Sequence, residues 1–253
     1  MLSQGARPFT ICARSTRDHA PMRRFVQALS ALADDVQADP ALRDPLRNSP
    51  DDYNIGQDDM ATILVGTPPH PLRMHWGLVP RWSPEPRTPY TTVTARLERA
   101  AGSRLFGQAW RERRGVLPLS GYYKWDRSTR PPRPWFVQAA DGAPLLAAVL
   151  WEAWHPEQEN RLAFSVLTHA TAAIPPPLTP DGPVFLHPSH WREWLEGPAQ
   201  PLPFLQREPA PALVAWPVSR AHRDRSRHDY TLIEPAQEAH ALPGEDEALD
   251  PDD

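Results

Sequence analysis

Two residues in this chain of 253 carry chemistry that no other position duplicates. Cys12, in "ICARSTR", is the only cysteine, so it can make no internal disulfide and is either a small buried hydrophobe or a reactive thiol. Lys124, in "GYYKWD", is the only lysine among 27 basic residues, the other 26 being arginine. Its amine forms Schiff bases with aldehydes only when partly neutral, which burial or nearby cations promote. Tyr123 and Trp125 offer such an apolar wall. The alternative is a phosphate clamp or a solvated surface charge, fully protonated near neutral pH. His187 and His190 form a pair without further ligands nearby, so no metal centre is expected. His169, following a strand, reads as structural. No phosphate-cradling G-x-x-x-x-G-K and no G-x-S-x-G elbow is present, and no cofactor is expected.

Elements must position these groups. Met22, Phe25, Val26, Leu29, Leu32, Ala33 and Val36 fall on one helical stripe, predicting a helix over 19–36 with Asp18 as N-cap. A polar, proline-rich loop is expected to about Tyr53, then a strand at 62–65 and a helix over 103–114. Four strand-like runs follow, "GVLPLSGYY", "PWFVQAA", "LLAAVLW" and "AFSVLT", with "ADGAP" read as a hairpin between two of them. "HPSHWREWLEG" reads as a short helix with Trp191, Trp194 and Leu195 inward and Gly197 as its stop. Ten tryptophans are expected mostly in the core. The fold class is α+β: a single domain over 11–235 with a mainly antiparallel β core and short flanking helices. Residues 1–10 form an N-terminal extension.

The net charge is −4, but residues 236–253 carry seven acids and no Lys or Arg and read as a disordered acidic tail. Without them 27 basic residues face 24 acidic ones, a mild +3 that permits nucleic-acid binding. No apolar run approaches a membrane span and the leader has no secretory pattern, so a cytoplasmic, non-membrane, monomeric protein is expected.

Several segments in order carry a resemblance: "WGLVPRW" (76–82), "TARLE" (94–98), "SRLF" (103–106), "GYYKW" (121–125), "ADGAP", "SVLT" (165–168), "PVFLHPSHWREWL" (183–195) and "WPVSR" (216–220). Together they resemble the SOS-response-associated peptidase (SRAP) family, the abasic-site shield proteins. The resemblance implies binding of single-stranded and abasic-site DNA, with a Cys exposed by Met removal closing a thiazolidine on the ring-opened sugar. An Asn, a Glu and a His surround that reaction. Carried over by position, Cys12 falls at the nucleophile, but Ile11 replaces Met and ten residues precede it. Thr94 stands for the Asn, Lys124 for the Glu and Thr179 for the His, while the following Asp-Arg becomes Pro180-Asp181, turning a charge aimed at phosphate negative. An internal Cys12 cannot form a thiazolidine, because its nitrogen is an amide. Arg14, Arg96 and Arg104 match positions that line the family's DNA groove, and Trp82 sits near its aromatic wedge. The expectation is a divergent member, with the chain kept from residue 1, that binds single-stranded or abasic-site DNA without crosslinking. The alternatives are an enzyme working through processed Cys12 or Lys124, and a protein-interaction scaffold that has lost DNA.

Overall fold

The computed structural model describes residues 22–30, 40–88, 90–154, 161–197 and 201–236. Cys12, Arg14, the N-terminal extension and the acidic tail beyond Ala236 lie outside the described residues.

Thirteen strands are assigned among them: β1 (Phe25–Gln27), β2 (Asp52–Ile55), β3 (Met60–Val65), β4 (His70–Trp76), β5 (Thr94–Arg96), β6 (Arg114–Leu119), β7 (Gly121–Asp126), β8 (Arg133–Ala139), β9 (Leu145–Trp154), β10 (Arg161–Ala170), β11 (Asp181–Pro183), β12 (Phe185–Leu186) and β13 (Leu213–Pro217). Five short helices accompany them: α1 (Pro40–Arg47), α2 (Leu97–Ala100), α3 (Gly107–Glu112), α4 (Trp191–Glu196) and α5 (Leu202–Leu205). The β10-β4-β3-β6-β9 run closes on itself through β9–β10 pairing, giving a five-stranded barrel to which β5, β11 and β12 add at the rim. A second sheet, β13-β8-β7-β1-β2, packs against it. Among the described strands only β10–β4 and β10–β5 pair in parallel, so the core is mainly antiparallel as the sequence indicates.

Alternation decides the layers. In β3, Ile63 and Val65 join Phe25, Tyr122 and Val137 between the sheets, while Leu64 faces the opposite cluster, where α1, α3, α4 and α5 pack. Trp110 and Trp194 meet edge to face there, ring centroids 6.3 Å apart. Trp76 is also core: it is buried, donates from Nε1 to the Val93 carbonyl and stacks on Phe164. Among the described residues no helix is long and apolar enough to cross a membrane.

Four local readings need correction. The helix expected over 19–36 is overturned at Phe25–Gln27, which is a strand held between β2 and β7. All three of its residues are buried, and a strand covered on both faces loses the alternation that would distinguish it from a helical stripe. Residues 19–21 and 31–36 of that expected helix lie outside the described residues. The loop expected before Tyr53 contains α1, whose Leu42 and Leu46 share one buried face. "GVLPLSGYY" is two strands, β6 in the barrel and β7 in the second sheet, and "ADGAP" carries the chain between sheets instead of closing a hairpin. Gly142 supplies the positive φ of that turn.

Candidate nucleic-acid interface and its buried charge cluster

Two separate groups of residues collect the positions singled out in the sequence. The first is built where β7 passes the rim of the barrel. Tyr122 and Lys124 share one face of β7, two residues apart, while Tyr123 faces the other way and stacks on His222. Lys124 is buried, 3% exposed, which overturns the solvated-charge alternative. Its Nζ donates to the Asp181 carbonyl at 2.5 Å, tying β7 to β11. The Asp181 carboxylate, also buried, pairs with Arg96 Nη1 of β5 at 2.5 Å. β5 and β11 flank β10 on its two edges, with Thr168 opposite both Arg96 and Pro183, so the Arg96 side chain reaches across β10 to meet its partner.

The expectation that Asp181 presents a negative charge to phosphate is therefore corrected. Its charge is spent internally on Arg96, whose own side chain remains 29% exposed. Thr94 lies two residues before Arg96 on the same strand, and Thr179 two residues before Asp181, so each adjoins in sequence one member of the Arg96–Asp181 pair. The Tyr122 and Thr179 hydroxyls are buried and have no hydrogen-bond partner among the described residues.

Burial pulls the Lys124 ammonium down to about 8, with the Asp181 carboxylate opposing the shift and Arg96 adding to it. Burial likewise lowers His169, against the carboxylates of Glu98 and Asp181, and Arg96 lowers it further. Tyr122 is pushed far above its ordinary range by burial and then by Asp181. Chemically the cluster is one carboxylate between two cations, with a lysine amine that is partly neutral near pH 8 but already donating to a carbonyl.

The second group is at the surface. Trp82 is 49% exposed, and the Arg104 guanidinium lies 4.7 Å over its ring centroid. Trp82 Nε1 donates to the Arg104 carbonyl at 3.4 Å. Tyr90 is exposed in the same connecting segment after β4. An exposed indole backed by a guanidinium offers a π-face for a base and a charge for a phosphate.

At the His187–His190 pair, His190 Nδ1 lies 2.8 Å from Glu208 Oε1. Among the described residues no three His, Cys, Asp or Glu side chains group to hold a metal ion.

Sequence reasoning placed Asp181 against phosphate and missed its pairing with Arg96, and it passed over Glu152, a buried carboxylate near the end of β9. The only signal for Glu152 was an acid inside the apolar run "LLAAVLWEAW".

The family model for SOS response associated peptidase (SRAP) matches residues 11–223. The Abasic site processing protein YedK of Escherichia coli is 26% identical over 227 residues, covering 84% of this chain and 98% of its own. The Abasic site processing protein YoaM of Bacillus subtilis is 25% identical over 147 residues, covering 56% of this chain and 65% of its own. A crystal structure of a Bacteroides thetaiotaomicron protein superposes with a TM-score of 0.69 at 16% identity, covering 85% of this chain and all of that one, which supports the fold.

Proposed function

Because this chain belongs to the SRAP family, we propose that it binds single-stranded DNA at abasic sites, in the cytoplasmic DNA-damage response, without forming the thiazolidine crosslink. The observation that carries this reading is the exposed Trp82–Arg104 stack, and it is supported by Thr94, Lys124 and Thr179 standing where the family resemblance implies Asn, Glu and His. Arg14, Arg96 and Arg104 supply phosphate contacts, and Trp82 stacks on a base or fills the gap an abasic sugar leaves. Cys12 contributes no covalent bond while its nitrogen remains an amide.

A second reading has one observation in its favour. The Lys124 amine, brought down to about 8, is neutral in part at physiological pH and could attack an aldehyde. Against it stand the burial of the amine and its hydrogen bond to the Asp181 carbonyl. On our reading Lys124 is a structural tie.

Fluorescence anisotropy with a labelled abasic single strand, titrated at several salt concentrations, tests the binding. About three arginine–phosphate contacts give a slope of log affinity against log salt near about −2, or roughly a twentyfold loss between ~50 and ~200 mM salt. Absence of binding at low salt transfers support to the protein-interaction scaffold.

A further inference from the structure

Trp82 is exposed on the segment between β4 and β5, whose described residues form no helix or strand. Such a segment does not by itself hold an indole at a fixed angle. Here the residues on both sides of Trp82 are fastened to one strand. Arg81 Nε donates to Glu152 Oε1 at 3.2 Å, and the Ser83 carbonyl accepts from Trp154 Nε1 at 2.9 Å. Glu152 and Trp154 are alternate residues of β9, so they project from the same face of the strand. Anchoring 81 and 83 leaves 82 pointing away.

The Glu152 carboxylate also holds the other half of the stack. Arg113 Nη2 donates to Glu152 Oε2 at 2.9 Å, and Arg113 Nε lies 2.8 Å from Oε1. Arg113 ends α3, its backbone N–H closing on the Ala109 carbonyl, and α3 begins three residues after Arg104. One buried carboxylate thus joins the segment that carries Trp82 to the helix that follows Arg104. A carboxylate with 4% of its side-chain surface exposed, sharing two guanidiniums, fixes geometry well because every oxygen is engaged.

We propose that Glu152 is a positioning residue for single-stranded DNA binding: it sets the Trp82–Arg104 platform through Arg81 and Arg113, touching no DNA itself. This rests on the proposal that the platform binds DNA. Residues of this kind gain their effect by holding a contact group near its productive geometry.

A double-mutant cycle separates positioning from general support. Affinity for a fluorescein-labelled oligothymidylate is measured at low salt for the wild type, Trp82→Ala, Glu152→Gln and the double variant. Trp82→Ala is expected to weaken binding about tenfold or more. Glu152→Gln is expected to weaken it about tenfold in the wild-type background and less than about twofold in the Trp82→Ala background. Arg81→Met, at a half-exposed side chain, breaks one arm of the clasp without opening the core and is expected to show the same dependence on Trp82. Equal losses in both backgrounds would overturn the positioning role while leaving DNA binding intact. A wild type that binds no oligothymidylate at low salt would overturn the DNA-binding reading, and this inference with it.

Discussion

Replacing Lys124 by Glu is expected to destabilise the protein by about 3–5 kcal/mol, read from urea denaturation. The new carboxylate would be buried against Asp181, and the hydrogen bond from Lys124 Nζ to the Asp181 carbonyl would be lost. Arg96 alone would then face two acids. Lys124→Met keeps the volume and removes the charge, and is expected to cost about 1–2 kcal/mol, for the orphaned Asp181 carbonyl. The pH dependence distinguishes the two effects. The ammonium ionises at about 8 in the folded chain and at 10.5 when unfolded. Between those values the unfolded chain binds more protons, so stability rises with pH across that window and the burial penalty is fully present below it. Wild-type stability is expected to climb between about pH 8 and pH 10.5 relative to Lys124→Met. A Lys124→Glu protein as stable as wild type would show that the amine is not buried beside Asp181.

Gly121→Ala is expected to cost more than about 3 kcal/mol. A Cβ there would lie 2.2 Å from Phe136 Cζ and 2.5 Å from the Val137 carbonyl oxygen. The ring can turn, but the carbonyl belongs to β8, paired to β7 at Tyr122↔Val137, and cannot yield without breaking the register that sets Lys124 against β11. Gly102→Ala is the control, since a Cβ at 102 meets nothing within 4 Å, and it is expected to change stability by less than about 0.5 kcal/mol. Equal urea midpoints for the two variants would contradict the close packing of β7 on β8.

The strands from β6 to β10 were readable because β-branched and aromatic runs are bounded there by turn residues. β1 was not, because an interior strand buried on both faces mimics a helical stripe over a few residues. The change of sheet at Ser120 was hidden as well. An unbroken apolar run shows where strands are and leaves open which sheet each one joins. Lys124 stood out by chemistry alone, yet its burial depends on Asp181, 57 residues away, delivered by the β10–β11 pairing. Glu152 and Arg81 are 71 residues apart, and no local pattern links them.

Where the family resemblance implies Glu and Arg, this chain has Lys124 and Asp181. Here the Asp181 carboxylate pairs with Arg96 while its carbonyl accepts from Lys124, and opposed charges of this kind are what let such a cluster be buried.

The most direct test of non-covalent binding is the intact mass of the purified chain after incubation with a single-stranded oligonucleotide bearing one abasic site, with and without borohydride. Native electrophoresis of the same sample confirms that a complex has formed. Our reading predicts a complex on the native gel and, after denaturation, the unmodified mass in both samples. An exposed or available amine would instead be frozen by reduction as a secondary amine carrying the oligonucleotide. A mass increased by the oligonucleotide without borohydride, mapped to a chain beginning at Cys12, would restore the thiazolidine reaction. An increase only with borohydride, mapped to Lys124, would make that residue a nucleophile, and either result would contradict the proposed function.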